Sequence, residues 1–216
     1  LGERVTITPQ PQASCVIIDQ STGLVAALVG GRGEKEASLT LNRASYTTRQ
    51  PGSTFKILTA YGPAIDQKKL TLASAIVDEP YNYSTGTPVN NAGQNYQGEV
   101  TVRQAIAQSI NVAAVKVLNE IVTPQTGYEY AGKFGITTLT DHYETANGVL
   151  TDVGETLALG GITRGVTNLE LTGAYAAIAN LGHLTEPKFY TQVLDQYGNV
   201  VLDNSEPKTR TVISEA

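Results

Sequence analysis

The sequence predicts an α/β fold, a sheet carrying helices beside a largely helical part, and three observations point there. Two apolar runs, residues 14–19 and 24–29, flank Gln20-Ser21-Thr22-Gly23, whose polar residues and glycine supply hairpin chemistry. Two helix starts carry capping boxes, Thr101-Val102-Arg103-Gln104 and Thr167-Asn168-Leu169-Glu170. A third helix begins at Ser53 and runs to about residue 66, with apolar Phe55, Ile57, Leu58, Ala60, Tyr61 and Ile65.

Taken in order, residues 1–12 contain Pro9 and Pro11 without periodic pattern, which predicts a linker; residues 13–216 form the domain. Both runs of the first hairpin are apolar on both faces, so a sheet covered on each side is expected, with Cys15 a small core residue. Gly30-Gly31-Arg32-Gly33 lacks the Lys-Ser/Thr of a phosphate loop and reads as a turn. Residues 79–98, rich in Tyr, Asn, Gly and Thr, predict a surface excursion of the kind found around binding sites. Helix follows from Thr101 to about Gln108, and a second periodic stretch, Ala113, Val117, Leu118 and Ile121, follows a break. Leu171, Ala174, Tyr175 and Ile178 give the Thr167 helix its apolar face, closed by Gly182. Residues 189–194 and 200–202 flank Asp195-Gln196-Tyr197-Gly198-Asn199 as a second hairpin.

Composition removes several classes of function. The 216 residues carry 15 Lys+Arg and 20 Asp+Glu, a net charge of −5, which lacks the positive surface that nucleic acid or anionic lipid requires. With 41% hydrophobic residues the chain can bury a core, while its apolar runs fall far short of the ~18–20 residues that span a bilayer. One cysteine excludes an internal disulfide, and two histidines, His142 and His183, stand in no metal-ligand spacing, so no metal or organic cofactor is expected. Both histidines read as surface residues. A chain starting at Leu1, without methionine or a leading signal segment, is expected to be a piece of a longer gene product.

Chemistry concentrates in Ser53-Thr54-Phe55-Lys56. Positions i and i+3 share a helix face, so the Lys56 amine can reach the Ser53 hydroxyl, and a helix start favours a developing oxyanion. Lysine ordinarily titrates near ~10.4, so a base role requires burial or a nearby positive charge. On the tetrad alone, a capping serine followed by a surface lysine is the plainer reading. Ser109-Ile110-Asn111 is the second candidate. Serine and asparagine are poor mid-helix residues, which predicts a helix break where both side chains can share a face. Without Ser53 and Lys56 a capped helix corner would account for it.

Arg49-Gln50-Pro51-Gly52-Ser53-Thr54-Phe55-Lys56, followed by Ser109-Ile110-Asn111, resembles the transpeptidase domain of class A, bifunctional penicillin-binding proteins. Asn42-Arg43-Ala44, Lys133-Phe134-Gly135-Ile136, Leu157-Ala158-Leu159-Gly160, Ala174-Tyr175-Ala176 and Ala179-Asn180 match further family segments in order. The resemblance implies a fold shared with serine β-lactamases: a central antiparallel sheet with helices on both faces and a mainly helical subdomain. It implies a peptidoglycan D,D-transpeptidase in which Ser53 is the nucleophile, acylated by the stem peptide's D-Ala-D-Ala or by a β-lactam, and Lys56 its general base. Ser109 would relay a proton between Lys56 and the leaving amine, Asn111 would bind the substrate's amide carbonyl, and the Ser53 N–H would supply half of an oxyanion hole. It also implies a bacterial cell-envelope location, outside the plasma membrane, with an N-terminal anchor and a glycosyltransferase domain in the parent protein.

The family's third motif, Lys-Ser/Thr-Gly, is missing. Lys208-Thr209-Arg210 comes near it, but arginine cannot replace a glycine chosen for close backbone approach. The C-terminal strands are therefore expected on a second chain or fragment, the alternative being a shortened chain. Rival readings are a D,D-carboxypeptidase, a serine β-lactamase, for which no Glu-x-x-x-Asn is found, and a β-lactam sensor without turnover. A Ser-His-Asp hydrolase is disfavoured because no serine sits in Gly-x-Ser-x-Gly.

Overall fold

The computed structural model describes residues 10–35, 37–146 and 148–215, so the linker expected over 1–12 lies mostly outside the described residues. The first hairpin forms as its sequence dictates. Strands β1 (Cys15–Ile18) and β2 (Val25–Val29) pair antiparallel with Cys15 opposite Val29. Asp19 builds the turn, its Oδ1 accepting from the Ser21 amide at 2.9 Å and hydroxyl at 2.6 Å, and Gly23 takes φ +73°. A Cβ on Gly23 would lie 2.4 Å from the Glu186 carbonyl oxygen, so only glycine lets the turn abut that segment.

The expected covering on both faces is corrected. Val16 and Ile18 are half-buried and β1 packs against α5 (Asn168–Ala179), while Cys15 and Ile17 alternate to the other side and are exposed. Cys15 is therefore not a core residue. Antiparallel pairing holds throughout, but among the described residues the strands pair two by two, and the expected central sheet is represented by β1–β2 with a helix on one face. A lone parallel bridge joins Leu24 to Lys188. Among the described residues the ribbon has no third strand, and Ile17 and Val29 are each 54% exposed.

Strand β3 (Thr48–Arg49) leads into a continuous helical stretch, residues 52–66. It opens with a 3-10 turn, Gly52–Thr54, widens to a π segment, Ile57–Tyr61, and ends as α1 (Gly62–Asp66). Pro63 explains the widening: it brings no N–H and its ring would strike the carbonyl four residues back, whereas a wider turn lets Gly62 donate to the Ile57 carbonyl. Strand β4 (Ala75–Asp78) pairs with β7 (Gly98–Thr101). The excursion between them holds a short hairpin of β5 (Tyr81–Asn82) and β6 (Pro88–Val89), whose Val89 is buried.

The capping box of Thr101 and Gln104 starts α2 (Val102–Ala107) with both reciprocal bonds made. A break at Ser109 and Ile110 separates it from α3 (Asn111–Lys116), which continues as a π segment, Val117–Val122. Helix α4 (Pro124–Lys133) follows. A Cβ on its Gly127 would lie 2.7 Å from the Thr59 carbonyl oxygen and 2.6 Å from Leu118 Cδ1, so the glycine allows backbone contact between helices. Phe55, Leu58, Val112, Val115, Leu118, Phe134 and Leu157 are buried between these elements.

An exposed hairpin, β8 (Tyr143–Thr145) and β9 (Gly148–Leu150), leads to a 3-10 turn, Glu155–Leu159, and to β10 (Val166–Thr167), which pairs with β3. The Thr167 and Glu170 capping box opens α5 as predicted, and Gly182 at φ +86° follows its end. Strand β11 (His183–Thr185) pairs with β14 (Thr209–Thr211), and β12 (Gln192–Leu194) with β13 (Val200–Asp203), the second predicted hairpin.

Candidate active site

Lys56 lies in the first turns of the 52–66 helical stretch and is only 2% exposed. A buried ammonium is tolerated only where its protons are hydrogen-bonded. Its Nζ donates to the Ser109 carbonyl at 2.6 Å, to Asn111 Oδ1 at 2.6 Å and to Ser109 Oγ at 3.0 Å. Burial pulls its pKa down from the ordinary lysine value to about 8. An amine that titrates there is neutral in a useful fraction of molecules near neutral pH.

The helix break makes this convergence possible. Ser109 takes φ +54°, a left-handed conformation that ends α2, and Ile110 is extended before Asn111 starts α3. Both polar side chains thus turn to one point, which a continuous helix would prevent. A non-glycine residue held at positive φ stores strain of about 1–3 kcal/mol, and such strain collects at functional sites.

Three of the four expected residues, Lys56, Ser109 and Asn111, therefore meet. Ser53 stands one turn before Lys56, exposed, and among the described residues its hydroxyl makes no hydrogen bond to Lys56. The partners of Lys56 differ in kind. The Ser109 carbonyl and Asn111 Oδ1 only accept, whereas the Ser109 hydroxyl can reverse and donate to a neutral Nζ. The Asn111 amide donates to the Asn90 carbonyl at 2.8 Å, which fixes which of its two ends faces the lysine.

Residues that the sequence matched to family segments, without a role for any of them, hold the Ser53 turn. Gln50 clamps residue 162 twice, Nε2 donating to the Ile162 carbonyl at 2.5 Å and Oε1 accepting its N–H at 2.9 Å. A Cβ on Gly160 would sit 2.5 Å from both Gly52 N and O, so only glycine lets this loop lie against the turn. Tyr175 of α5 donates its hydroxyl to the Thr54 carbonyl at 2.7 Å. The order of segments in the sequence hinted at all three, but a pairing 112 positions apart leaves no local signal. Asn90 and Asn91 were signalled only by the polar excursion that contains them.

Two cavities flank the Gln50-Pro51-Gly52 turn. One of about 490 Å³ is lined by Gly52, Leu150, Leu159, Gly160 and Ile162, and one of about 640 Å³ by Ser14, Arg43, Arg49, Pro51 and Asn168. Lys208-Thr209-Arg210 takes no part in the Lys56 cluster: β14 pairs with β11, and Arg210 donates to the Lys133 carbonyl at 2.9 Å. His142 is exposed beside Glu144, and His183 faces Thr211. No group of three His, Cys, Asp or Glu side chains suits a metal among the described residues.

Residues 13–216 match the penicillin binding protein transpeptidase domain. The chain is 38% identical to penicillin-binding protein 1A of Clostridium tetani over 96% of its length and 27% of that protein's. It is 40% identical to penicillin-binding protein 1F of Bacillus subtilis, covering 92% of this chain and 26% of the relative. It thus spans about a quarter of the length of the curated relatives it matches. Among solved structures, PonA1 of Mycobacterium tuberculosis in complex with penicillin V superposes with a TM-score of 0.77 at 21% identity, over 94% of this chain and 52% of that one, a likeness of fold. Penicillin-binding protein 1A of Haemophilus influenzae gives 0.74 at 27% identity, over 93% of this chain and 28% of that one. With its family segments in order and Lys56, Ser109 and Asn111 joined at one point, the chain belongs to the transpeptidase domain family of class A penicillin-binding proteins.

Proposed function

We propose that this chain carries the acylation centre of a peptidoglycan D,D-transpeptidase, with Ser53 as nucleophile. The buried Lys56 carries the reading: a lysine drawn to a pKa of about 8, one helical turn from an exposed serine, is an amine prepared to take a hydroxyl proton. A turn of the Ser53 side chain toward Nζ lets Lys56 accept the proton as Oγ attacks the carbonyl carbon of the penultimate D-Ala. The tetrahedral intermediate then collapses, the C–N bond breaks, and the departing D-Ala amine receives a proton from Lys56 through the reversible Ser109 hydroxyl. An acceptor amine next attacks the Ser53 ester, forming the new amide and returning the proton to Oγ. The second N–H of the Asn111 amide group serves the substrate carbonyl, the first being taken by Asn90.

A β-lactam follows the same path, but its amine stays tethered to the opened ring, so the whole antibiotic remains on Ser53. The remaining catalytic half, a strand with Lys-Ser/Thr-Gly facing Ser53, comes from a further segment or second chain that completes the β1–β2 sheet. Likeness to class A penicillin-binding proteins supports action of the parent protein at the outer face of the bacterial plasma membrane; among the described residues no helix is long and apolar enough to cross a membrane.

Intact-mass analysis of the full-length protein with benzylpenicillin tests this. One whole antibiotic mass is expected, mapped to the Ser53 peptide and lost in Ser53→Ala. An adduct on another serine, or none in the complete folded protein, contradicts it.

A further inference from the structure

Asp78 ends β4 with a fully buried carboxylate and Asn91 lies in the excursion beyond it. The Asp78 Oδ1 accepts from Asn91 Nδ2 at 2.8 Å, and its Oδ2 from the Gln97 amide at 3.0 Å. Asn91 Nδ2 donates again, to the Asn95 carbonyl at 3.0 Å. Its Oδ1 accepts the first two amides of α3, Asn111 N at 3.0 Å and Val112 N at 3.2 Å. All four hydrogen-bonding positions of one amide are therefore used. Helix α3 needs this, because its own capping position is Ile110, whose side chain makes no cap.

We propose that Asn91, locked by the buried Asp78, is a positioning residue for Lys56: it fixes the start of α3 and with it the Asn111 side chain that Lys56 grips. Three contacts converge on Asn111 from residues 90 and 91 and Lys56: the Asn91 oxygen on its backbone, the Asn90 carbonyl on its Nδ2, and Nζ on its Oδ1. Lys116 of α3 adds a second tie to β4, donating to the Val77 carbonyl at 3.0 Å and pairing with Glu79 at 2.7 Å. The strut therefore acts at the first turn, where the chemistry is, rather than on α3 as a whole.

The kinetic test rests on the function proposed above; a structural readout does not. In the full-length protein, Asn91→Ala lowers the saturating rate of benzylpenicillin acylation by about tenfold and shifts the half-saturating concentration by less than about twofold, since the reacting groups are misplaced and the ligand surface is intact. Asn91→Asp alone sets two carboxylates face to face, and Asp78→Asn alone sets two amide donors face to face; each slows acylation. The double swap Asp78→Asn with Asn91→Asp restores a donor–acceptor pair with its direction reversed and keeps an oxygen on the α3 amides but gives up the bond to the Asn95 carbonyl, so the rate recovers in part, above that of either single variant. A folded Asn91→Ala protein acylating at the wild-type rate, or a swap no faster than its slower single variant, overturns the proposal. Should the wild-type protein itself not be acylated, the functional reading fails alone. The crystal structure of Asn91→Ala then decides: the Lys56–Asn111 bond broken or the amide turned supports the strut, and both retained refutes it.

Discussion

The helical part and the strand ribbons are built from equally apolar stretches, yet they treat them in opposite ways. Val115, Val117, Leu118 and Val122 are at most 1% exposed, whereas Val193, Leu194, Val200, Val201 and Leu202 are 40–60% exposed. A helix satisfies its own backbone and needs only something to lie against. A strand needs neighbours at its edges and layers on its faces, and a two-stranded ribbon supplies few of either. The difference shows where this chain finishes its own structure: around Lys56, which is buried and whose polar partners, Ser109 and Asn111, both come from the helical part.

Substitutions in the helical part are expected to have the largest effect. Leu118→Ala opens a hole in a fully buried site beneath Gly127 and is expected to cost about 3–4 kcal/mol in denaturant unfolding. A loss below ~1 kcal/mol would mean this core is as loosely held as the ribbons. The α5 cap joins the two regions and gives an intermediate effect. Thr167→Ala removes the bond to the Glu170 amide and is expected to cost about 1 kcal/mol.

That cap also predicts a pH dependence. Burial raises the Glu170 pKa, but hydrogen bonds from Thr137 and Thr167 outweigh it, and the carboxyl rests below the ordinary glutamate value. A depressed folded-state pKa stabilises above the unfolded value, ~4.3, and the stability is lost as pH falls through the folded one. Thr167→Ala should therefore weaken the acid sensitivity of unfolding below about pH 4.3, while a Thr137→Ala variant does the same from the other side. The smallest effect belongs to the ribbons: Leu202→Ala, already half in solvent, should change stability by less than about 0.5 kcal/mol. A larger loss in the full-length protein would show that another element covers β13 there.

Local chemistry was legible in the sequence and long-range pairing was not. Both capping boxes, the break at Ser109 and both hairpins follow from residues within four positions of one another, and all formed. The Ser53 and Lys56 spacing put the pair on one helix, and burial of the lysine supplied the condition that a base role demanded. Cys15 failed because apolar runs say that a strand can be covered, not that its cover is present. The Gln50 clamp, the Gly160 contact and the Asn91 strut join segments separated by 13 to 112 positions, and no periodicity records such partners.

The rate of benzylpenicillin acylation at Ser53, followed from pH 6 to 10, reports the titration of the group that takes the Ser53 proton. A proton-accepting Lys56 whose pKa burial holds near 8 predicts a rate that climbs with pH and levels off above about 8. A rate still climbing toward ~10.4, as an ordinary lysine would give, or one flat across the range, would contradict the assignment of Lys56 as the base.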